Sequence, residues 1–135
     1  MHDKHLKNYF FILFSIIPIS IVLGPLVSLV NVLLIDLSFL ILILTKKNFS
    51  FLKNKAFIYL SILYLYLLFN SLISLEPEIG LSRNLGFLRI IILFLAINYF
   101  FYEKNFLNKV LFIWSLFFLI ILIDVYLEFF TGKNI

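Results

Sequence analysis

Apolar residues run almost without interruption through most of the chain, and polar residues gather in short segments between the runs. A membrane-spanning helix needs about 20 apolar residues in a row, with a range of roughly 17–25. The first apolar stretch, Tyr9–Thr45, is too long for one such helix, and the Gly24-Pro25 pair inside it is a strong turn signal. The pattern therefore predicts five helices, near residues 9–23, 26–45, 56–75, 86–102 and 108–129.

Two segments of this pattern need comment. The first predicted helix is short, so it either spans the membrane or forms a re-entrant or interfacial segment. Between the third and fourth helices, LEPEIGLSRNLG (75–86) contains the helix breakers Pro77, Gly80 and Gly86. We expect an outer loop there.

The composition indicates a membrane protein. It is 64% hydrophobic and 13% charged, whereas a soluble domain is about half apolar and about a quarter charged. In a bilayer only helices and closed barrels satisfy the backbone, and barrel strands alternate apolar and polar residues. Because the apolar runs here are continuous, the sequence predicts an all-α, multi-pass transmembrane protein with one transmembrane region over residues 1–135.

The basic residues predict an orientation. Cytoplasmic segments of membrane proteins carry an excess of lysine and arginine. If the N-terminus is cytoplasmic, the inner segments hold Lys4, Lys7, Lys46, Lys47, Lys53, Lys55, Lys104 and Lys109, and the outer ones hold Arg83 and Lys133. An odd number of spans then makes the C-terminus periplasmic, and the net charge of +4 is explained without a nucleic-acid partner.

The sequence contains no motif for catalysis or for a cofactor. With no cysteine, a disulfide framework, a thiolate nucleophile and a cysteine-based metal site are excluded. Both histidines, His2 and His5, lie in the N-terminal tail, and no Ser–His–Asp set, HExxH or phosphate-binding glycine loop occurs. We therefore predict no catalytic residue, no metal and no cofactor.

A few charged residues lie within or near the predicted spans, where charge is costly and indicates function. Arg83 falls in the outer loop, Arg89 about one turn into the fourth helix, and Asp124 and Glu128 one turn apart near the outer end of the fifth. This predicts an outward-facing polar site, in which arginine side chains hold a phosphate or pyrophosphate through paired hydrogen bonds. The alternatives are that Arg89 pairs with Asp124 to join two helices, or that these side chains reach the headgroups.

Asp36 lies in the middle of the second predicted helix, which is the costliest position for a carboxylate. It is expected to bond to Asn70 on another helix, to meet a partner in another chain, or to be protonated. A helix–helix hydrogen bond and a proton-relay role are both compatible with the sequence.

Three stretches carry a resemblance to a known family. LEPEIGLSRNLGFLRIIILFLAINYFF (75–101) resembles a segment of the O-antigen ligase and O-antigen polymerase family, where an outer loop leads through a polar, arginine-containing turn into an apolar helix; here that turn reads SRNLGFLR, from Ser82 to Arg89. DVYLEFFTGKNI (124–135) resembles the end of a family helix before its next outer loop. FSIIPISIVLGPLVSLVNVLLIDL (14–37) resembles the first hairpin.

The resemblance implies a bacterial inner-membrane enzyme that takes a glycan from undecaprenyl pyrophosphate at the periplasmic face. It passes the glycan to lipid A core or to a growing polymer, without a metal. Arg83 and Arg89 match the family arginines that hold the pyrophosphate, with Asp124 and Glu128 as possible polar support. Because the family has further spans and a large periplasmic loop with an essential histidine, we expect this chain to be an N-terminal fragment that does not catalyse alone.

Two other classes of function fit the same sequence. One is a small multi-pass transporter subunit, which would use a buried ion ligand such as Asp36. The other is a non-enzymatic membrane accessory protein, which needs no outer polar site.

Overall fold

The computed structural model describes residues 2–46 and 54–132, and within them the fold is all-α. The five helices of this part are α1 (His2–Leu23), α2 (Pro25–Lys46), α3 (Lys55–Leu72), α4 (Pro77–Phe101) and α5 (Lys104–Thr131). By length and composition each is able to cross a membrane. The predicted all-helical class is confirmed, and five apolar helices suggest a multi-pass membrane protein.

The break between α1 and α2 lies at the predicted position. Gly24 has a φ of 119°, in a region that glycine enters without steric cost. Pro25 is the first residue of α2, where its missing N–H removes a donor that would have no helical partner. The Gly24 carbonyl then accepts the N–H of Ser28 at 3.1 Å, which begins the second helix.

Helix α4 begins nine residues earlier than predicted, at Pro77 rather than near residue 86. Proline at the first helical position and the acidic Glu78 in the first turn both favour a helix start, and the Gly80 N–H bonds to the Glu76 carbonyl at 3.2 Å. The expected outer loop is therefore mostly helix. Arg83 lies inside α4, and Arg89 lies twelve residues from its start rather than one turn.

Other helix ends also differ from their predicted positions. Helix α1 includes the polar N-terminal residues, α5 begins at Lys104, and α3 is shorter than predicted because it ends at Leu72. At the start of α3, the side chain of Asn54 caps the helix by accepting the Ala56 N–H at 3.0 Å. Three of the orienting lysines, Lys47, Lys53 and Lys133, lie outside the described residues.

The chain divides into two compact units. Unit 1 contains the residues up to Asn31 and those from Phe101 onward, and unit 2 contains Val32–Phe100. Both units contain apolar helices. The single transmembrane region over residues 1–135 stays a prediction.

Aromatic rings form much of the interior of unit 1. The buried ring of Phe14 lies 5.2 Å from that of Phe101 and 6.1 Å from that of Phe106, between centroids. At the polar end of the same unit, Lys7 and Glu103 form a half-exposed ion pair at 2.6 Å. α1 and α5 are thus packed against each other near the start of each helix.

In unit 2 the buried residues Ile35 and Phe39 come from α2, and Ala96 and Phe100 come from α4. The ring centroids of Phe39 and Phe100 are 6.4 Å apart. Much apolar surface stays uncovered elsewhere: α5 buries Phe106 and Val110 near its start, whereas Phe118 and Phe129 are exposed. Exposed apolar area of this extent is typical of a surface that faces lipid or another helix.

Candidate functional site

A helical hairpin formed by α3 and α4 carries the most polar part of unit 2. Asn84 on α4 donates from Nδ2 to the Leu67 carbonyl of α3 at 2.9 Å and to Ser71 Oγ. Ser71, which is buried, donates to the same Leu67 carbonyl at 2.9 Å. These bonds connect the two helices side by side and fix their register.

Close approach at the turn depends on Gly80. A Cβ atom built on Gly80 would lie 3.2 Å from Cβ of Ser71 and 3.3 Å from its Oγ, which is tighter than ordinary contact. Glycine in a helix costs about 1 kcal/mol relative to alanine, so its presence here is explained by the packing of α4 against α3.

A cavity of about 460 Å³ opens at this turn; we call it the hairpin pocket. Its polar lining consists of Asn70, Ser71, Ser74, Glu76, Arg83 and Asn84. Amide, hydroxyl, carboxylate and guanidinium groups together can both donate and accept hydrogen bonds. The pocket is therefore suited to a ligand rich in hydroxyl or phosphate groups.

A second cavity of about 360 Å³ lies along α4 and is lined by Ser82, Arg83, Gly86, Phe87, Arg89 and Ile90. We call it the arginine pocket. Arg83 lines both cavities. A Cβ atom built on Gly86 would meet no atom within 4 Å, so packing does not require glycine at this position. Because glycine has no side chain, a ligand can approach the helix between the two arginines.

The two arginines are exposed, and neither forms an ion pair with a described residue of unit 2. A guanidinium presents donors in a rigid fork that matches the oxygens of phosphate. Arg83 and Arg89 thus line one pocket, with their donors available to an anion.

Asp36 does not bond to Asn70, which was one of the three alternatives that the sequence left open. It is 3% exposed, and neither carboxylate oxygen has a hydrogen-bond partner among the described residues. Asn70 instead is exposed and lines the hairpin pocket.

Asp124 and Glu128 lie one turn apart on α5, in unit 1. Asp124 is half-buried, and its Oδ1 is buried without a hydrogen-bond partner among the described residues. Since these acids and the two arginines belong to different units, their gathering into one site, and the pairing of Arg89 with Asp124, stay predictions.

Sequence reasoning missed the residues that build the hairpin. Asn84 and Ser71 had no assigned role, whereas Asn98, farther along α4, donates to the Phe94 carbonyl of its own helix at 2.9 Å. The pair Pro77-Glu78 was the signal in the sequence, because proline followed by an acidic residue is typical of a helix start. A helix that begins there includes Asn84.

Comparison with known proteins gives no family for the chain. The chain matches no protein-family model, no curated protein and no solved structure.

Proposed function

We propose that this chain belongs to a membrane glycosyltransferase of the O-antigen ligase and polymerase type and supplies part of the site for the undecaprenyl pyrophosphate-linked glycan. The observation that supports the proposal is the arginine pocket. Two guanidinium groups, neither with an ion-pair partner among the described residues of their unit, line one cavity next to a glycine that leaves the helix surface open. Pyrophosphate is an anion of the size and charge that such a pair recognises.

The chemistry gives the arginines a defined task. Transfer breaks the bond between the first sugar and the pyrophosphate, which leaves with the bonding electron pair, while the acceptor hydroxyl bonds to the sugar and loses its proton. Negative charge develops on the departing pyrophosphate. Arg83 and Arg89 would stabilise that charge more strongly than the charge of the bound donor, which is how such groups accelerate a reaction.

The lysines support the proposed side of the membrane. In five alternating crossings, the starts of α1 and α3 and the turn between α4 and α5 share one side, where Lys7, Lys55 and Lys104 lie. The turn between α3 and α4 lies on the other. The positive-inside rule then makes the lysine side cytoplasmic, so the hairpin pocket would open to the periplasm of a bacterial inner membrane, where lipid A core or a growing glycan is the acceptor.

The test is binding of undecaprenyl pyrophosphate to the chain in lipid nanodiscs, with undecaprenol as the uncharged comparison. We expect the pyrophosphate to bind more tightly. Arg83→Gln and Arg89→Gln should each weaken it by about tenfold or more, since a hydrogen bond to a charged group contributes about 1.5–3 kcal/mol and 1.4 kcal/mol is about a factor of ten. Lys55→Gln, at the opposite end of the hairpin, is the matched control. Equal binding of both lipids would refute the proposal.

A transporter subunit is the second candidate function, and the observation that favours it is the buried Asp36 on α2. A carboxylate inside a span is a usual ligand for a transported proton or cation. Proton or cation flux in proteoliposomes that Asp36→Asn abolishes would favour this function over glycan transfer. A non-enzymatic accessory role predicts neither flux nor preference for the pyrophosphate lipid.

A further inference from the structure

Unit 1 contains a cavity of about 300 Å³ where the starts of α1 and α5 meet; we call it the lysine pocket. The proposed function gives this pocket no role. Its polar residues are all exposed, so a ligand can reach them directly. They are Lys7, Asn8, Glu103, Asn105 and Lys109.

Two contacts between α1 and α5 form the pocket. Lys7 Nζ donates to Glu103 Oε2 at 2.6 Å. About one turn farther along each helix, the rings of Phe11 and Phe106 lie edge to face with their centroids 6.0 Å apart, and both rings line the cavity. The lysine pocket therefore combines polar groups at the helix starts with aromatic surface one turn deeper.

The lysine pocket has an excess of positive charge, because its lining holds two lysines and one glutamate. The Lys7 ammonium uses one of its three N–H donors on Glu103. Lys109 forms no ion pair with another described residue, so all of its donors are available. The amides of Asn8 and Asn105 add further donors. An anion rich in oxygen, such as a phosphate group, is the ligand that this set favours.

Exposed apolar side chains continue from the pocket along both helices. Ile12 lies four residues after Asn8 on α1, and Phe112 lies three residues after Lys109 on α5, so each shares a helix face with a polar residue of the pocket. Ile12 is 56% exposed and Phe112 is 70% exposed. Both helices are long and apolar enough to cross a membrane. A ligand with a phosphate group at one end and hydrocarbon chains at the other matches this succession of surfaces, whereas a free phosphate would contact the polar groups alone.

We infer that the lysine pocket binds the phosphate of an anionic phospholipid, whose acyl chains lie along the exposed apolar faces of α1 and α5. Basic pockets between membrane helices are a known kind of site for phosphate-bearing headgroups. Lys109 supplies the charge that no described residue neutralises, and the Glu103 carboxylate opposes the lipid phosphate. The inference is independent of the proposed glycan function, because it concerns other residues and another ligand.

The single tryptophan of the chain, Trp114, provides the test. It lies five residues after Lys109 on α5, about 7.5 Å along the helix. Bromine atoms on acyl chains quench tryptophan fluorescence at close range, so the protein is reconstituted in phosphatidylcholine bilayers that contain brominated phosphatidylglycerol or brominated phosphatidylcholine. We expect the wild type to prefer phosphatidylglycerol. Lys109→Gln should lower that preference about fivefold, since a lysine near an anionic lipid surface contributes about 1 kcal/mol.

Two further variants separate a built site from general attraction. Lys104→Gln removes the same charge from the same end of α5, but Lys104 does not line the lysine pocket, so the preference should stay at the wild-type value. Glu103→Gln removes the opposing carboxylate, and the preference should rise by a similar factor. If the Lys7–Glu103 pair served only to join the two helices, its loss would loosen the pocket and the preference would fall.

Three results would overturn the inference. The first is a wild type without preference for phosphatidylglycerol. The second is an equal loss in Lys109→Gln and Lys104→Gln, which would mean that any lysine at the helix starts attracts anionic lipid, or a lower preference in Glu103→Gln. The third is loss of the preference in an excess of glycerol phosphate, the headgroup without acyl chains, because the ligand would then be a soluble phosphate rather than a lipid.

Discussion

The indole Nε1 of Trp114 donates a hydrogen bond to the main-chain carbonyl of Phe14, 3.0 Å away. Phe14 lies four residues before Pro18, and proline has no N–H to donate to that carbonyl. A side chain of α5 therefore supplies the bond that the proline removes from α1. Where water is absent, this is how a proline is accommodated within a helix.

Replacing Trp114 should reveal this role. Trp114→Phe keeps an aromatic ring near Phe101 but removes the donor, so we expect the free energy of unfolding to fall by about 1 kcal/mol. In a Pro18→Ala background the new N–H of residue 18 can donate to the Phe14 carbonyl, so Trp114→Phe should lower the free energy of unfolding by a smaller amount. Reversible unfolding in mixed detergent micelles measures both. Equal costs in the two backgrounds would contradict the explanation.

The number and class of the helices were predictable because they depend on the length of apolar runs and on strong local turn signals. The Gly24-Pro25 break is the clearest case. The ends were less predictable, since α4 begins at Pro77 and α1 at His2. Helical hydrogen bonds continue into polar residues as readily as into apolar ones, so hydropathy detects the part of a helix that enters lipid rather than the whole helix.

The charged residues of the candidate site could be picked out from the sequence, but the contacts that form its pockets could not. Arg83 and Arg89 stand out in sequence because charge is rare in apolar segments. The pocket they share depends on the early start of α4, and the hairpin depends on Asn84 reaching Ser71, thirteen residues away. No local pattern encodes such a contact. That Asp36 has no hydrogen-bond partner among the described residues also required three-dimensional information, since Asn70 was chemically suitable but lines the hairpin pocket.

Two glycines of α4 should respond differently to alanine. Gly86→Ala meets no atom within 4 Å, so we expect it to stabilise the helix by about 1 kcal/mol. Gly80→Ala brings Cβ to 3.2 Å from Ser71, and the crowding offsets that gain. Thermal unfolding of the two variants makes each the control for the other. A larger gain for Gly80→Ala would show that α3 and α4 do not pack closely at the turn.

Asn84 and Asn98 provide a second matched comparison on the same helix. Asn84 bonds to two groups of α3, whereas Asn98 bonds within α4. Asn84→Ala should therefore lower the free energy of unfolding by about 1 kcal/mol more than Asn98→Ala, the typical net value of a hydrogen bond. Unfolding by denaturing detergent gives the two differences. If the order is reversed, the hairpin is held by apolar contacts alone.

Single cysteines can report the orientation directly, because the chain has none of its own. Leu75, in the turn between α3 and α4, and Tyr102, in the turn between α4 and α5, are both almost fully exposed, so Leu75→Cys and Tyr102→Cys form a matched pair. If the lysine side is cytoplasmic, a membrane-impermeant maleimide should label Cys at position 75 in intact cells and Cys at position 102 after the membrane is opened. The reverse pattern would place the hairpin pocket in the cytoplasm and exclude a periplasmic glycan donor. Labelling of both positions in intact cells would mean that α4 does not cross the membrane.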